Sequence, residues 1–274
     1  MDDTTTGLNS CCHYELSLIK QNKNIISFPY YYLEDYYIDF LEDLNITYTN
    51  KDDKVYIDSN DISWEELYML KTESYSASVW YPYLEKYTYK SILIPIYNLE
   101  DIKSLLAIIS FPKFIKLDTV SCKDASKGIF NNAEEVYDTF KKSNRILNTL
   151  KQNPLIKRSH YLFVREVDEK INESIEVRCF IHLCKLVAVS SCVKLNKKQK
   201  DNLEFFVDNI IRDMPYKDSV IDLAIHNDNL MLIEVNNFGA DSPAGAGLFN
   251  WKEDYFILYG GMKEVYYKNS EISL

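Results

Sequence analysis

Charged side chains set inside apolar strands are the residues of this sequence best placed to do chemistry. In EVRCFIH (176–182), one face of an extended segment carries Glu176, Arg178, Phe180 and His182; the other carries Val177, Cys179 and Ile181. Asp222 lies between Ile221 and Leu223, and in MLIEVNN (231–237) Glu234 and Asn236 share a face. A carboxylate among apolar strand residues costs several kcal/mol unless it meets a cation or a metal. Three oxygen-bearing residues on two neighbouring strands, Asp222, Glu234 and Asn236, suit a hard cation. Magnesium takes few protein oxygens and completes its octahedron with water and substrate phosphates. The competing reading is a salt bridge to Arg165 or Arg178, or a solvated strand face.

Cations that could meet phosphate are also present. Lys116 lies in FPKFIKL (111–117), Lys123 a little further on, and Arg165 within YLFVREV (161–167). Each can be read as a snorkelling surface residue or as a phosphate clamp. Neither a G-x-x-x-x-G-K-[ST] nor a G-x-G-x-x-G motif occurs, so a bound nucleotide would depend on side-chain cations rather than a glycine cradle. Cys11-Cys12-His13 reads as a tail, because adjacent cysteines suit one tetrahedral site poorly. His160, His182 and His226 are dispersed, and there is no G-x-S-x-G elbow.

For Asp222 and Glu234 to share a metal they must lie directly opposite on a hairpin, since cross-strand partners point the same way. Counting back from that pairing predicts a three-residue loop at Asn227–Asn229. A two-residue turn at Asn227-Asp228 would shift the register by one and send Glu234 to the opposite face, which would refute a shared site. Further expected strands cover 90–96, 111–117, 161–167, 175–183 and 185–193, the last two joined near Cys184–Lys185. Helices are expected at 30–44, 63–70, 99–110, 132–150 with Asn132 as cap, 196–214, and 251–259. Helices and strands alternate without strict βαβ regularity, which favours an α+β fold with mostly antiparallel sheets.

The chain has 274 residues, 46% of them hydrophobic, which excludes wholesale disorder. With 31 basic and 41 acidic residues the net charge is −10, unsuited to general nucleic-acid or anionic-membrane binding. No apolar run approaches the roughly 20 residues of a membrane span. The acidic N-terminus does not read as a signal peptide, and six cysteines without paired spacing read as thiols. A cytoplasmic protein is expected.

Taken in order, several segments resemble the cell division cycle 123 family of ATP-grasp-like proteins. They are ASVWYPYLEKYTYKSILIPI (77–96), FIKLDTVSCKDA (114–125), FKKSNRI (140–146), LFVREV (162–167), EVRCF (176–180), VIDL (220–223), LIEVNNFG (232–239), Asp241-Ser242 and LFNW (248–251). The resemblance implies an ATP-grasp-like fold, with an N-terminal α/β domain over 1–110 (a 1–74 extension, then the 75–110 signature region) and a nucleotide-binding domain over 111–274. It implies that ATP is held by Lys116, Asp118, Lys123, Arg165, Glu166, Glu176 and Arg178, and Mg2+ by Asp222, Glu234 and Asn236. Trp80, Tyr81 and Pro82 read either as a turn presenting aromatics to a protein partner or as plain core. Departures include Lys123 for the family's Arg, Glu234 for its Asp, Glu166 for a common Lys and an insertion at Pro243–Ala246. The function so implied is assembly of translation initiation factor 2 through its gamma subunit. An ATP-dependent carboxylate–amine or carboxylate–thiol ligase acting through an acyl phosphate is the alternative.

Overall fold

A computed structural model describes residues 25–29, 48–51, 54–58, 75–126, 128–152, 160–168, 174–239 and 244–270. The chain separates into two compact units, Met1–Leu70 and Lys71–Leu274. In the first, strands β1 (Ile25–Pro29), β2 (Tyr48–Lys51) and β3 (Lys54–Asp58) form an antiparallel sheet in the order β1-β3-β2. The helices expected at 30–44 and 63–70, and the N-terminal tail, lie outside the described residues.

The second unit runs α1 (Ala77–Leu84), β4 (Ser91–Ile96), α2 (Ile102–Leu105), β5 (Lys113–Leu117), β6 (Ile129–Phe130), α3 (Ala133–Lys142), α4 (Asn144–Gln152), β7 (His160–Glu166), β8 (Ile175–His182), β9 (Lys185–Ser191), α5 (Lys197–Asp213), β10 (Ser219–His226), β11 (Asn229–Asn236), α6 (Tyr255–Leu258) and β12 (Tyr266–Asn269). β4 joins the sheet of β5 and β7: the order is β4-β7-β5-β6, antiparallel throughout. The larger sheet has the order β11-β10-β8-β9-β12 and is antiparallel except for β12, which runs parallel to β9.

Local chemistry explains the helix ends. The Asn132 side chain accepts from the Glu135 amide at 2.9 Å and caps α3. Asn196 and Gln199 form a reciprocal capping box on α5. The single helix expected over 132–150 breaks at Ser143, whose backbone is extended and whose hydroxyl accepts the Ile146 amide to start α4. The Ser143 hydroxyl donates in turn to Asp124 at 2.6 Å. The periodic apolar residues Leu203, Val207 and Ile210 of α5 bury into a core with Val177, Cys179, Ile181, Ile221 and Leu223. That leaves the opposite face of the sheet, bearing Arg178 and Asp222, for other work. A second core packs Ile115, Leu117, Leu162 and Val164 against Ile102, Val136 and Phe140.

The β10–β11 hairpin differs from expectation in an instructive way. His226 pairs with Asn229, so the turn has two residues, Asn227 and Asp228, with φ of 49° and 66°. Two successive left-handed residues make the type I′ turn whose twist matches that of paired strands. The register then slips by one between Asp222 and Leu223, leaving Ile233 as a β-bulge. The bulge restores the pairing of Asp222 with Glu234, so the expected partnership holds by a different route. Asn227→Val, placing a β-branched residue at positive φ, should lower stability by about 1–2 kcal/mol in a urea melt. A melt unchanged by the substitution would contradict the turn.

Candidate functional site

The face of the five-stranded sheet opposite α5 carries a row of polar residues in register. Glu234 on β11 pairs with Asp222 on β10, Asp222 with Arg178 on β8, Arg178 with Ser190 on β9, and Ser190 with Lys268 on β12. Arg178 grips the Asp222 carboxylate with two parallel hydrogen bonds, from Nε to Oδ1 at 2.8 Å and from Nη2 to Oδ2 at 2.9 Å. Its remaining nitrogen donates to the carbonyl oxygens of Ala244 and Gly245. Ser190 Oγ accepts from the Leu248 amide at 2.9 Å. A Cβ at Gly247, where φ is +60°, would come within 2.6 Å of that hydroxyl, so the segment 244–248 lies against the row only because glycine is there.

β5 of the four-stranded sheet and the segment that follows it supply the opposing cations. Lys116 on β5 is buried and hydrogen-bonds Glu234. Lys123 is exposed, and its charge acts on the carboxyls of Glu176, Asp222 and Glu234. Asp124, beside it, is fixed by Ser143 and by the Arg145 amide at the start of α4, which anchors the Lys123 segment.

These surroundings set the carboxyls apart. Burial, then Glu234, push Asp222 above the ordinary aspartate range despite Arg178. Burial also opposes charge on Glu234, but Lys116, Lys123 and Arg165 outweigh it and hold that carboxyl below the usual glutamate range. Burial, followed by Asp222, raises Glu176. Arg178 loses basicity to burial and regains more than that from Asp222, Glu176 and Glu234 together.

The structure therefore brings Lys116, Lys123, Glu176, Arg178, Asp222 and Glu234 together. Asn236 follows Glu234 on the same face, opposite Val220, and its Nδ2 is buried with no hydrogen-bond partner among the described residues. Two carboxylates in register, Asp222 and Glu234, have the ligand chemistry of an oxygen-seeking divalent cation, and in the structure each is paired with a side-chain cation, Arg178 and Lys116.

The remaining expected site residues are engaged elsewhere. Asp118 is buried and accepts from Ser78 Oγ at 2.7 Å and the Tyr161 amide at 3.2 Å, tying α1 to β5 and β7. Glu166 is largely exposed and pairs with Lys113 at 2.9 Å. Arg165 is 4% exposed and donates to the backbone oxygen of Ile233 at 3.1 Å. Burial lowers its pKa to about 10.

Trp80 and Tyr81 are not surface anchors. Only 1% and 7% exposed, they pack with Phe163 inside the main core. Residues 77–84 form a helix rather than a turn, and Pro82 sits on its exposed side. Thr88, Ser190 and Gly247 escaped sequence reasoning, because hydroxyls and glycines carry no strand-face signal of their own.

The D123 family model matches residues 100–264, more than half of the chain. The chain belongs to the D123 (CDC123) family. A CDC123-like protein of Acanthamoeba polyphaga mimivirus is 27% identical over 300 residues, covering 87% of this chain and 91% of the viral one. Cdc123 from Schizosaccharomyces pombe superposes with a TM-score of 0.57 at 22% identity, over 72% of this chain and 96% of that one. An ATP-grasp protein with a RimK domain from Sphaerobacter thermophilus is a more distant neighbour, with a TM-score of 0.40 at 12% identity over 61% of this chain and 60% of that one. The CDC123 likeness establishes the mixed α+β fold with antiparallel sheets. Among the described residues no helix is long and apolar enough to cross a membrane.

Proposed function

We propose that this CDC123-family chain binds ATP with Mg2+ on the polar row and serves in the cytoplasm as an assembly factor for translation initiation factor 2, through its gamma subunit. The observation that carries the nucleotide reading is the Glu234–Asp222–Arg178 row faced by Lys116 and Lys123. It places two metal-competent carboxylates between cations suited to phosphate. Asp222, Glu234 and Asn236 would hold the metal, which neutralises phosphate charge when bound. Lys116, Lys123 and Arg178 would orient the phosphates, with Glu176 beside them. Asp118 and Glu166 fall outside this reading, since their contacts are structural. The assembly role rests on the family resemblance.

With Trp80 and Tyr81 buried, a partner surface on α1 falls to its exposed side. There Pro82, Tyr83, Glu85 and Lys86 line, with Asp213, a hollow of about 570 Å³.

Mg-ATP at about 100 times its dissociation constant should stabilise the fold by roughly 2.7 kcal/mol. A thermal melt that does not move with millimolar Mg-ATP rejects the nucleotide site. Capture of the recombinant gamma subunit with and without Mg-ATP tests the partner. Release of ADP or AMP on supplying an amine or thiol acceptor, without capture, transfers the assignment to a ligase.

A further inference from the structure

We propose that Arg165 and Thr88 are positioning residues that clamp the Ile233 bulge and so deliver Glu234 to the side of Asp222. This rests on the reading of those carboxylates as a metal pair. The I′ turn fixes the hairpin register at His226–Asn229, and regular pairing from there would oppose Asp222 with Ile233. Glu234 would then point to the opposite face, into the core that holds Leu232 and Val235. One extra residue in β11 prevents this, but a bulge leaves a backbone carbonyl outside the ladder.

The structure answers with two side chains. Arg165 Nη2 donates to the Ile233 oxygen at 3.1 Å, and Thr88 Oγ1 donates to the Leu232 oxygen at 2.6 Å. Arg165 Nη2 also reaches Thr88 Oγ1 at 3.5 Å, and Thr88 forms a parallel bridge with Leu232. Arg165 lies over the Phe163 ring at 5.0 Å and beside Tyr89 at 5.5 Å. A guanidinium kept charged in so buried a place, and directed at backbone oxygen, acts on the shape of the strand rather than on a phosphate.

The test separates metal from phosphate. ATP affinity is measured calorimetrically in EDTA and again with Mn2+, for wild type, Arg165→Met, Thr88→Ala and Thr88→Ser, each with a thermal melt. A clamp predicts that Arg165→Met and Thr88→Ala shrink the gain in affinity conferred by Mn2+ by about tenfold or more, and that Thr88→Ser restores it. Arg165 acting on phosphate predicts instead a loss at least as large in EDTA, which overturns the proposal. So does Thr88→Ser behaving like Thr88→Ala.

Deleting Ile233 supplies a second arm. It makes the hairpin regular with Glu234 still opposite Asp222, so in that background Arg165→Met should no longer reduce the Mn2+ gain. A folded double variant that still loses the gain refutes the clamp. Wild-type protein that binds ATP in neither condition rejects the nucleotide site itself. Wild type that binds, with a Mn2+ gain unaffected in every variant, rejects the clamp alone.

Discussion

Lys116→Met is expected to weaken Mg-ATP binding by about ten- to a hundredfold while leaving the chain folded. Methionine keeps most of the apolar stem, which is buried, and deletes the ammonium. A charge-assisted contact to phosphate contributes roughly 1.5–3 kcal/mol, which converts to that range of affinity. In the structure the same ammonium donates a hydrogen bond to Glu234. Metal and lysine therefore compete for one carboxylate, and the substitution should strengthen the binding of Mn2+ alone even as ATP affinity falls. The two measurements move in opposite directions, a pattern that general loosening of the fold would not produce. Equal ATP affinity in variant and wild type would make Lys116 a purely structural partner of Glu234.

The pH dependence follows from the same pair. A carboxyl held below its usual range gives stability that is present above the unfolded pKa and lost as pH falls through the folded one. Lys116→Met removes the largest influence lowering Glu234, so the Glu234 contribution should disappear at a higher pH in the variant.

Trp80→Ala should cost about 3–5 kcal/mol, a large part of the stability of an ordinary domain. The indole is among the largest fully buried side chains and packs against Phe163 at 6.0 Å and Tyr81 at 6.1 Å between ring centres. Phe163 lies on β7 beside Arg165, so the cavity would also disturb the wall that carries the bulge clamp. Thermal or urea unfolding measures the loss. A stable, soluble Trp80→Ala protein that binds Mg-ATP normally would contradict the packing. Tyr83→Ala, at a side chain 55% exposed, is the appropriate change for testing a partner surface on the same helix, because it leaves the core intact.

What the sequence revealed about the site was its face pattern. Alternation in 176–182 groups Glu176 with Arg178 and alternation in 231–237 groups Glu234 with Asn236, but bringing Glu234 to the side of Asp222 depends on the bulge. The Asn132 cap was equally legible, since an amide before a helix has few other uses; the Asn196 cap came from the structure. The bulge was not legible. Ile233 is an ordinary strand residue, and nothing in its type announces that it lacks a partner. Arg165 reads from the sequence either as a snorkelling surface residue or as a phosphate clamp, because a lone cation in an apolar strand signals only that some oxygen must meet it, not whether that oxygen belongs to ligand or backbone. Trp80-Tyr81-Pro82 misled for a related reason. Proline suggested a turn, but the helix accepts Pro82 while Trp80 and Tyr81 carry the segment into the core.

The last strand of the sheet also guards the molecule against its own copies. β12 pairs with β9 through Tyr266–Ala188 to Asn269–Ser191, beyond the stretch matched by the family model. Lys268 is tied back to Asp254 at 2.8 Å, and Ser270 donates to the Cys192 oxygen at 2.5 Å. Without those few residues, Val187, Ala188 and Val189 would offer an unoccupied run of amides and carbonyls flanked by apolar side chains, the kind of border along which sheets recruit strands from other molecules. β12 forms the edge in their place, only four residues long and carrying Lys268, two features that blunt an edge against pairing with strands of other chains.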